Sequence, residues 1–562
     1  MATVIKTIGM NGLEGFVIKV EARILKGVPT MSIIGLADKA IKESRDRIEA
    51  CFNTMSMRFP KGRIVFNMLP QDVQKSGGYL DLPMFLSLAM ECGEICPDNI
   101  SLDETVFFGG ISLCGDLESF NGMLPMLIQA RQNGIRYAVL PNACMAEAVK
   151  VHGIQCFGFD TIHDLVDWFE GRMRHTPRSE AVKLLPAISN LDFSQVKGQD
   201  HLIKFVLAAA AGGHNLLLIG PAGCGKSMIA KRIETILPDM NEDEALEVMA
   251  IHSVAGSPRS PEEAMRRPFR SVHYNASANA IIGGGTNAKP GEITLAHNGV
   301  LFLDELPEFS RTALEALRQP LEDRVVRVAR VKQTNVYPAN FMLVAAMNPC
   351  PCGNFGSGKC ICSPHKVRTY RQRISGPILE RMDIQKFMNK VDLFEDANAR
   401  QSTKRKEGRG GGGDAAAVAP SSPSDTLLHH DRPSHDPESC TQAQPPQNTQ
   451  SPNASASLKK KVEMARSIQA ERFKGEDGVW TNAQMDVALI DRYCVIDAAS
   501  SELIQSAHDA SQFSARSYHK ILKVARTFAD LDGAANIRRE DVVSALMSRD
   551  LDRIEATPLK GW

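Results

Sequence analysis

A glycine-rich segment that follows a short apolar run limits what this chain can fold into. The run at 215–219, Asn-Leu-Leu-Leu-Ile, is typical of a buried parallel strand. The next eight residues match a phosphate-binding loop: Gly220, Pro221, Ala222, Gly223, Cys224, Gly225, Lys226 and Ser227. In this pattern backbone N–H groups wrap phosphates at the start of a helix. We therefore expect an α/β nucleotide-binding core in which Lys226 reaches the β- and γ-phosphates and Ser227 binds Mg²⁺.

A second apolar run carries two carboxylates at its end. Val300–Leu303 is predicted to be a strand, and Asp304 and Glu305 follow it directly. Open α/β sheets bind ligands at the carboxyl ends of their strands. About eighty residues after a phosphate-binding loop, this pair predicts that Asp304 holds magnesium and that Glu305 orients the attacking water.

Composition indicates a multidomain chain that neither crosses a membrane nor coats nucleic acid. At 562 residues it is too long for one hydrophobic core, and it has no run of about 20 apolar residues. The N-terminal sequence shows no export signal, so we expect a cytoplasmic protein with reduced cysteines. Lys plus Arg and Asp plus Glu each number 65, so any contact with nucleic acid must be local.

Changes in pattern divide the chain into four segments. Residues 1–175 alternate short strands with helices and are predicted to form an α/β domain, and residues 190–395 form the nucleotide-binding core with its parallel sheet. Residues 396–457 are rich in Gly, Ser, Pro, Gln and Asn, which predicts a disordered linker. Residues 458–562 have apolar residues at helical spacing and are expected to be an all-helical lid, with Ser514 as a helix N-cap.

Three further polar residues follow in the order expected of a γ-phosphate sensor system. Asn348 ends the strand 341–347 and resembles the sensor-1 residue of AAA+ ATPases. Arg381, in the segment 376–383, resembles the arginine finger that such proteins insert into a neighbouring subunit's site. Arg516 resembles the sensor-2 arginine at the start of a lid helix.

These residues, together with the segments 283–305 and 317–323, closely resemble the magnesium-chelatase-like AAA+ family of bacteria. The resemblance covers the N-terminal domain, the core and the lid. It implies ATP and Mg²⁺ as cofactors and a homo-hexameric ring. It also implies a helicase-like motor that drives branch migration on DNA and integrates incoming strands during natural transformation.

An alternation of apolar and basic residues over 324–332 predicts a hairpin strand ahead of sensor 1. In related motors such a hairpin points into the pore of the ring. Its candidate phosphate contacts are Arg324, Arg327, Arg330 and Lys332. The alternative is a solvated edge strand whose charges simply face water.

Four of the thirteen cysteines lie within thirteen positions directly after sensor 1: Cys350, Cys352, Cys360 and Cys362. Two Cys-x-Cys pairs can supply four thiolates to a tetrahedral Zn²⁺, and His365 could replace one of them. Reduced structural thiols and a redox switch are the competing interpretations.

The N-terminal domain is also similar to the proteolytic domain of Lon, through segments 69–82 and 110–124. The alignment puts Tyr79 at the position of the nucleophile and Leu124 at that of the catalytic lysine. Neither side chain can do that chemistry, so we expect an assembly or DNA-handling module with a ribosomal-S5-like α/β fold.

Three classes of function stay open from sequence. The leading one is a DNA-translocating motor, and the second is a chelatase-type ATPase that remodels a partner protein. An ATP-dependent protease is disfavoured by Tyr79 and Leu124.

Overall fold

The computed structural model describes residues 3–75, 77–97, 99–178, 189–260, 263–285, 288–329, 334–355, 358–390, 454–476 and 478–551. The predicted linker, 396–457, lies outside the described residues up to position 453. A helix begins at Ser455, within the last residues of that segment. Within the part of the chain that is described, no helix is long and apolar enough to span a bilayer.

The strands of the N-terminal domain are β1 Val4–Asn11, β2 Glu14–Leu25, β3 Met31–Ile34, β4 Arg63–Leu69, β5 Thr105–Phe107, β6 Gly110–Ile111, β7 Leu117–Glu118, β8 Tyr137–Pro141 and β9 Gln155–Phe159. Most of them form a mixed sheet with strand order β1-β2-β4-β3 and a smaller parallel sheet with order β5-β8-β9. The helices of this domain are α1 Lys39–Thr54, α2 Asp81–Glu91, α3 Met123–Gln132, α4 Met145–Ala148 and α5 Ile162–Phe169. Helix α2 is apolar almost throughout and buried over nine residues, so it lies inside the domain.

The strands of the core are β10 Leu216–Ile219, β11 Phe269–Val272, β12 Gly283–Gly284, β13 Lys289–Pro290, β14 Val300–Leu303, β15 Val325–Ala329, β16 Thr334–Pro338, β17 Met342–Met347 and β18 Ile384–Phe387. Five of them form a parallel sheet with order β11-β14-β17-β10-β18. The helices of the core are α6 Asp200–Gly212, α7 Lys226–Arg232, α8 Glu242–Ala255, α9 Ala278–Ile282, α10 Glu292–Leu295, α11 Arg311–Glu315, α12 Arg318–Asp323, α13 Pro364–Arg371 and α14 Gly376–Leu379. The three apolar runs predicted to be parallel strands are confirmed as β10, β14 and β17. They are fully buried because helices cover both faces of the sheet.

Helix α8 of the core belongs to the hydrophobic cluster of the N-terminal domain, where Val248 and Met249 are buried. Two polar contacts accompany this packing. The Ser253 hydroxyl donates to a Glu147 carboxylate oxygen over 2.7 Å, and the Lys150 amine donates to the Arg259 carbonyl over 3.0 Å. The N-terminal domain is therefore docked on the core rather than tethered to it.

The lid is all-helical and packs on α6 of the core through a shared hydrophobic cluster. Its helices are α15 Ser455–Arg472, α16 Val487–Tyr493, α17 Ala498–Ser511, α18 Ala515–Leu531 and α19 Arg539–Leu546. Phe205 of α6 meets Phe528 of α18 edge to face, with ring centroids 5.9 Å apart. The predicted cap is confirmed, because the Ser514 side chain accepts a hydrogen bond from the Ser517 backbone N–H.

Candidate nucleotide site

The glycine-rich loop joins β10 to α7, and its conformation depends on glycine. Gly223 and Gly225 have φ of 78° and 94°, a region that favours glycine. A Cβ atom on Gly220 would lie 2.8 Å from the Met388 carbonyl oxygen, too close for any other residue without a shift of the backbone. The loop can therefore turn its N–H groups toward a phosphate chain.

Lys226 lies inside this loop and is held by three acceptors. Its amine donates to the carbonyls of Gly220 and Pro221, over 2.7 and 2.9 Å, and to Asn348 Oδ1 over 3.0 Å. Burial lowers the pKa of Lys226 from its ordinary value. The contact with Asn348 brings the predicted sensor to the phosphate-binding lysine, across 122 positions of sequence.

The magnesium side of the site pairs a hydroxyl with a carboxylate. Ser227 Oγ donates to Asp304 Oδ2 over 2.6 Å, which joins the first turn of α7 to the end of β14. Mg²⁺ prefers oxygen ligands such as these, so the two side chains fit the ion. Glu305 adopts φ 54°, a left-handed conformation that is rare outside glycine and is typical of functional positions.

A cavity of about 640 Å³ opens next to Glu305 and Asn348. Helix α13 forms its other wall, and the remaining lining residues are Glu308, Pro351, His365, Lys366, Thr369, Tyr370 and Arg373. Arg373 pairs with Glu308 over 2.8 Å. The participation of α13 in this wall was not predicted from sequence, because helical spacing alone does not say which loop a helix faces.

Arg381 and Arg516 come together, away from the phosphate-binding loop. Glu322 Oε1 lies 2.5 Å from Arg381 Nη2 and 3.2 Å from Arg516 Nη2. Arg516 also pairs with Glu380 over 3.4 Å. The two arginines thus share one carboxylate, in a cleft between core and lid.

This cleft lies at the amino-terminal ends of the core strands, whereas the phosphate-binding loop lies at their carboxyl ends. Asn215, just before β10, donates from Nδ2 to the Arg381 carbonyl over 3.0 Å. Gly220, which accepts from Lys226, comes just after the same strand. Five residues of extended chain span about 16 Å, more than the length of an arginine side chain. The two arginines therefore lie far from the chain's own Lys226.

The predicted hairpin forms, with β15 and β16 antiparallel and Arg327 opposite Val336. Arg327 is exposed on it. Arg324 does not share that face: it ends α12, donates to the Phe341 carbonyl over 2.7 Å and is largely buried, which lowers its pKa. Arg330 and Lys332 lie outside the described residues.

The four clustered cysteines converge after β17. Their Sγ atoms all lie within 4.8 Å of one another, and His365 is not among them. Sγ–Sγ distances from Cys350 are 3.4 Å to Cys352 and 3.8 Å to Cys360, and Cys352 lies 3.7 Å from Cys360. A tetrahedral zinc with Zn–S bonds of 2.3 Å separates its sulfurs by about 3.8 Å, so these spacings fit the ion and exceed a disulfide bond.

Backbone N–H groups of Asn354 and Ile361, which hydrogen-bond to the thiolate, lower the pKa of Cys352 to about 6. Burial raises that of Cys350 to about 12. The thiolate form is therefore favoured at Cys352 over Cys350.

The two Lon-equivalent positions of the N-terminal domain are both buried. Tyr79 packs against Phe120, with centroids 5.1 Å apart, and Leu124 is in the core. The Lys75 amine is also buried and donates to the Pro70 carbonyl.

Comparison with known proteins covers nearly the whole chain. Family models match at 192–395 (magnesium chelatase, subunit ChlI), 20–144 (subunit ChlI of Mg-chelatase) and 452–549 (magnesium chelatase, subunit ChlI C-terminal). Competence protein ComM of Haemophilus influenzae is 32% identical over 547 residues, which are 97% of this chain and 96% of ComM. The chain belongs to the ComM/YifB family of magnesium-chelatase-like proteins. YifB of Escherichia coli is also 32% identical, over 552 residues and 98% of each chain.

Membership of the ComM/YifB family confirms the resemblance inferred from the motifs, and magnesium-chelatase ChlI-like proteins are AAA+ ATPases. A shorter similarity links it to Lon protease 2 of Bacillus subtilis, 29% identical over 141 residues, or 24% of this chain and 26% of that protein. The match to Lon is therefore partial in both proteins.

Proposed function

We propose that this chain hydrolyses ATP as one subunit of a homo-hexameric ring that moves DNA. One observation supports this most strongly. The phosphate-binding residues meet at the carboxyl ends of the core strands, and the two arginines meet at the amino-terminal ends. Each group of residues alone is half of an ATPase site. Head-to-tail assembly in a closed ring joins the two halves at every interface.

Within one subunit, the loop and two strand ends would bind and orient ATP. Lys226 exchanges its carbonyl partners for β- and γ-phosphate oxygens. Ser227 and Asp304 hold Mg²⁺, which neutralises charge on the phosphates. Glu305 orients the attacking water, and Asn348, held against Lys226, contacts the γ-phosphate.

The neighbouring subunit would complete the site. Arg381 serves as the arginine finger, and Arg516 joins it because the two guanidiniums lie on the same carboxylate. In the isolated chain Glu322 pairs with both arginines, and Glu380 also pairs with Arg516. In the ring, Arg381 leaves Glu322 for the γ-phosphate, where it stabilises the charge of the transition state.

DNA as the substrate is supported by the hairpin and by relatives. Arg327 stands exposed on β15, on a hairpin that precedes the sensor strand, and Arg330 and Lys332 follow it in sequence. ComM is named as a competence protein. We therefore infer that the ring drives branch migration of DNA strands taken up in natural transformation, and that the hairpin contacts the phosphates of the DNA backbone.

The cysteine cluster is proposed to bind one Zn²⁺ through Cys350, Cys352, Cys360 and Cys362. Four thiolates at tetrahedral spacing are the donor set of structural zinc sites. Metal analysis of protein purified without chelators tests this. We expect one zinc per chain, and its absence rejects the site.

A second candidate function is a chelatase-type motor that remodels a partner protein. The three family models favour it, because all are named for magnesium-chelatase subunit ChlI. The N-terminal domain would then serve assembly or partner handling. Proteolysis is disfavoured, because Tyr79 and Leu124 occupy the nucleophile and lysine positions and are buried.

ATPase assays with single-stranded, duplex and branched DNA separate these candidates. We expect branched or single-stranded DNA to stimulate hydrolysis, and the stimulation to weaken as salt rises. A Glu305→Gln variant serves as the control for turnover, since it keeps the fold and the nucleotide contacts of Lys226. Hydrolysis that no DNA stimulates would favour protein remodelling.

A further inference from the structure

The loop that carries the four cysteines lies against the phosphate-binding loop. A Cβ atom on Gly353 would be 3.6 Å from the backbone nitrogen of Ala222, which is ordinary van der Waals contact. Gly353 has φ 77°, and its N–H donates to the Cys350 carbonyl over 2.9 Å. The turn over residues 350–353, which contains the first two cysteines, is therefore packed on the turn that must wrap the phosphates.

The same loop also leads directly out of the sensor strand. Cys350 comes two residues after Asn348, whose side chain accepts from Lys226. Cys350 is fully buried, so its position is tied to the end of β17. A displacement of Cys350 would move Asn348 and the amine it contacts.

Helix α13 connects the far end of the loop to the same place. It begins immediately after Cys362, with Ser363 as its N-cap. From this helix the Arg371 Nε donates to the Pro349 carbonyl over 3.3 Å, and its guanidinium lies 4.9 Å from the centre of the Phe355 ring. Tyr370, also on α13, lines the same cavity as Asn348. Both ends of the cysteine loop thus converge on the sensor.

We propose that zinc bound by the four cysteines is an integral part of the ATP site, because it fixes the loop that supports Ala222 and Asn348. This rests on the proposed zinc site and on proposed ATP binding. Without the metal, residues 350–362 lack their cross-link, since thiols have no strong attraction for one another. The support behind the phosphate-binding loop is then lost, although the ATP-contacting residues themselves are intact.

The test measures zinc content and nucleotide affinity on the same full-length samples. The probe is a fluorescent, non-hydrolysable ATP analogue with Mg²⁺. In Cys360→Ser we expect loss of zinc and an affinity lower by about tenfold or more, as misplaced contacts typically cause. Cys114→Ser is the matched control, because it removes an exposed thiol of the N-terminal domain and should change neither quantity.

A second route avoids any substitution. Wild-type protein stripped of metal by a chelator should lose affinity for the analogue and regain it when Zn²⁺ is added, but not when Mg²⁺ alone is added. Zinc-free protein that binds the analogue as tightly as the untreated protein overturns the proposal, and so does wild type purified without zinc. Wild type that contains zinc but binds no analogue overturns both this coupling and the proposed ATPase, while leaving the zinc site in place.

Discussion

Replacing Arg381 with alanine should abolish hydrolysis while leaving the chain's own phosphate-binding loop intact. The loop and Arg381 are separated by the length of β10, about 16 Å, so the guanidinium cannot serve the site of its own subunit. Removal of an arginine finger slows turnover by about 10³–10⁵, which is about 4–7 kcal/mol of barrier. Glu322, its half-exposed partner, keeps its ion pair with Arg516 in the variant, so no buried carboxylate is left without a partner and the fold should persist.

Mixing two inactive variants makes the same argument quantitative. Lys226→Ala lacks a working loop and Arg381→Ala lacks a working finger, so each alone should hydrolyse almost no ATP. In rings assembled at random from equal amounts, about one interface in four joins an intact loop to an intact finger, because the interface is head-to-tail. ATPase activity of the mixture should therefore rise toward about a quarter of wild type. Co-assembled rings that show no gain, or Arg381→Ala protein with full activity, would refute the arrangement in trans.

Three other substitutions test separate parts of the account. Gly220→Ala puts a Cβ atom 2.8 Å from the Met388 carbonyl oxygen. A clash of about 1–3 kcal/mol should weaken binding of the ATP analogue by about fivefold or more in a fluorescence titration, and unchanged affinity would count against the loop geometry. Arg327→Ala should weaken DNA binding with basal ATPase retained, and should reduce the slope of log affinity against log salt concentration by about 1. Lys474→Ala, which removes an exposed lysine of the lid, should bind DNA as wild type does. Burial lowers the pKa of His252 from 6.5 to about 4. The contribution of the neutral imidazole to the free energy of unfolding, up to about 3 kcal/mol, is therefore fully present above pH 6.5 and is lost as pH falls toward 4. In denaturant titrations between pH 6.5 and pH 4, the free energy of unfolding of His252→Gln should fall less steeply with falling pH than that of wild type, and an unaltered slope in the variant would exclude this contribution.

The elements that sequence predicted well are those whose pattern is local. The apolar runs that form β10, β14 and β17 are short and continuous and have clear ends, and the glycine-rich loop follows the first of them directly. The order of the motifs along the chain then predicted that Ser227 and Asp304 would meet, and they do so over 2.6 Å. The similarity of the four cysteines to a zinc site likewise came from spacing, and the sulfurs do converge.

The features that sequence did not predict depend on contacts between distant segments. Nothing local indicates that Glu322 would bind both Arg381 and Arg516, because 194 positions separate it from the second. The sequence did not predict that α8 packs on the N-terminal domain. Its apolar residues could equally well have been buried against the core to which the helix belongs. Arg324 was grouped with the hairpin by alternation, but it ends the preceding helix with φ 56°, which sends its side chain toward Phe341 instead.

Branch migration itself is the most direct test of the central claim, which is that ATP hydrolysis by this ring moves DNA. The assay uses a labelled three- or four-stranded junction, wild-type protein, Mg²⁺ and ATP, and follows the release of recombined strands on a native gel. The account predicts release with ATP, none with a non-hydrolysable analogue and none with Glu305→Gln. Active hydrolysis without any strand movement on any junction would contradict it.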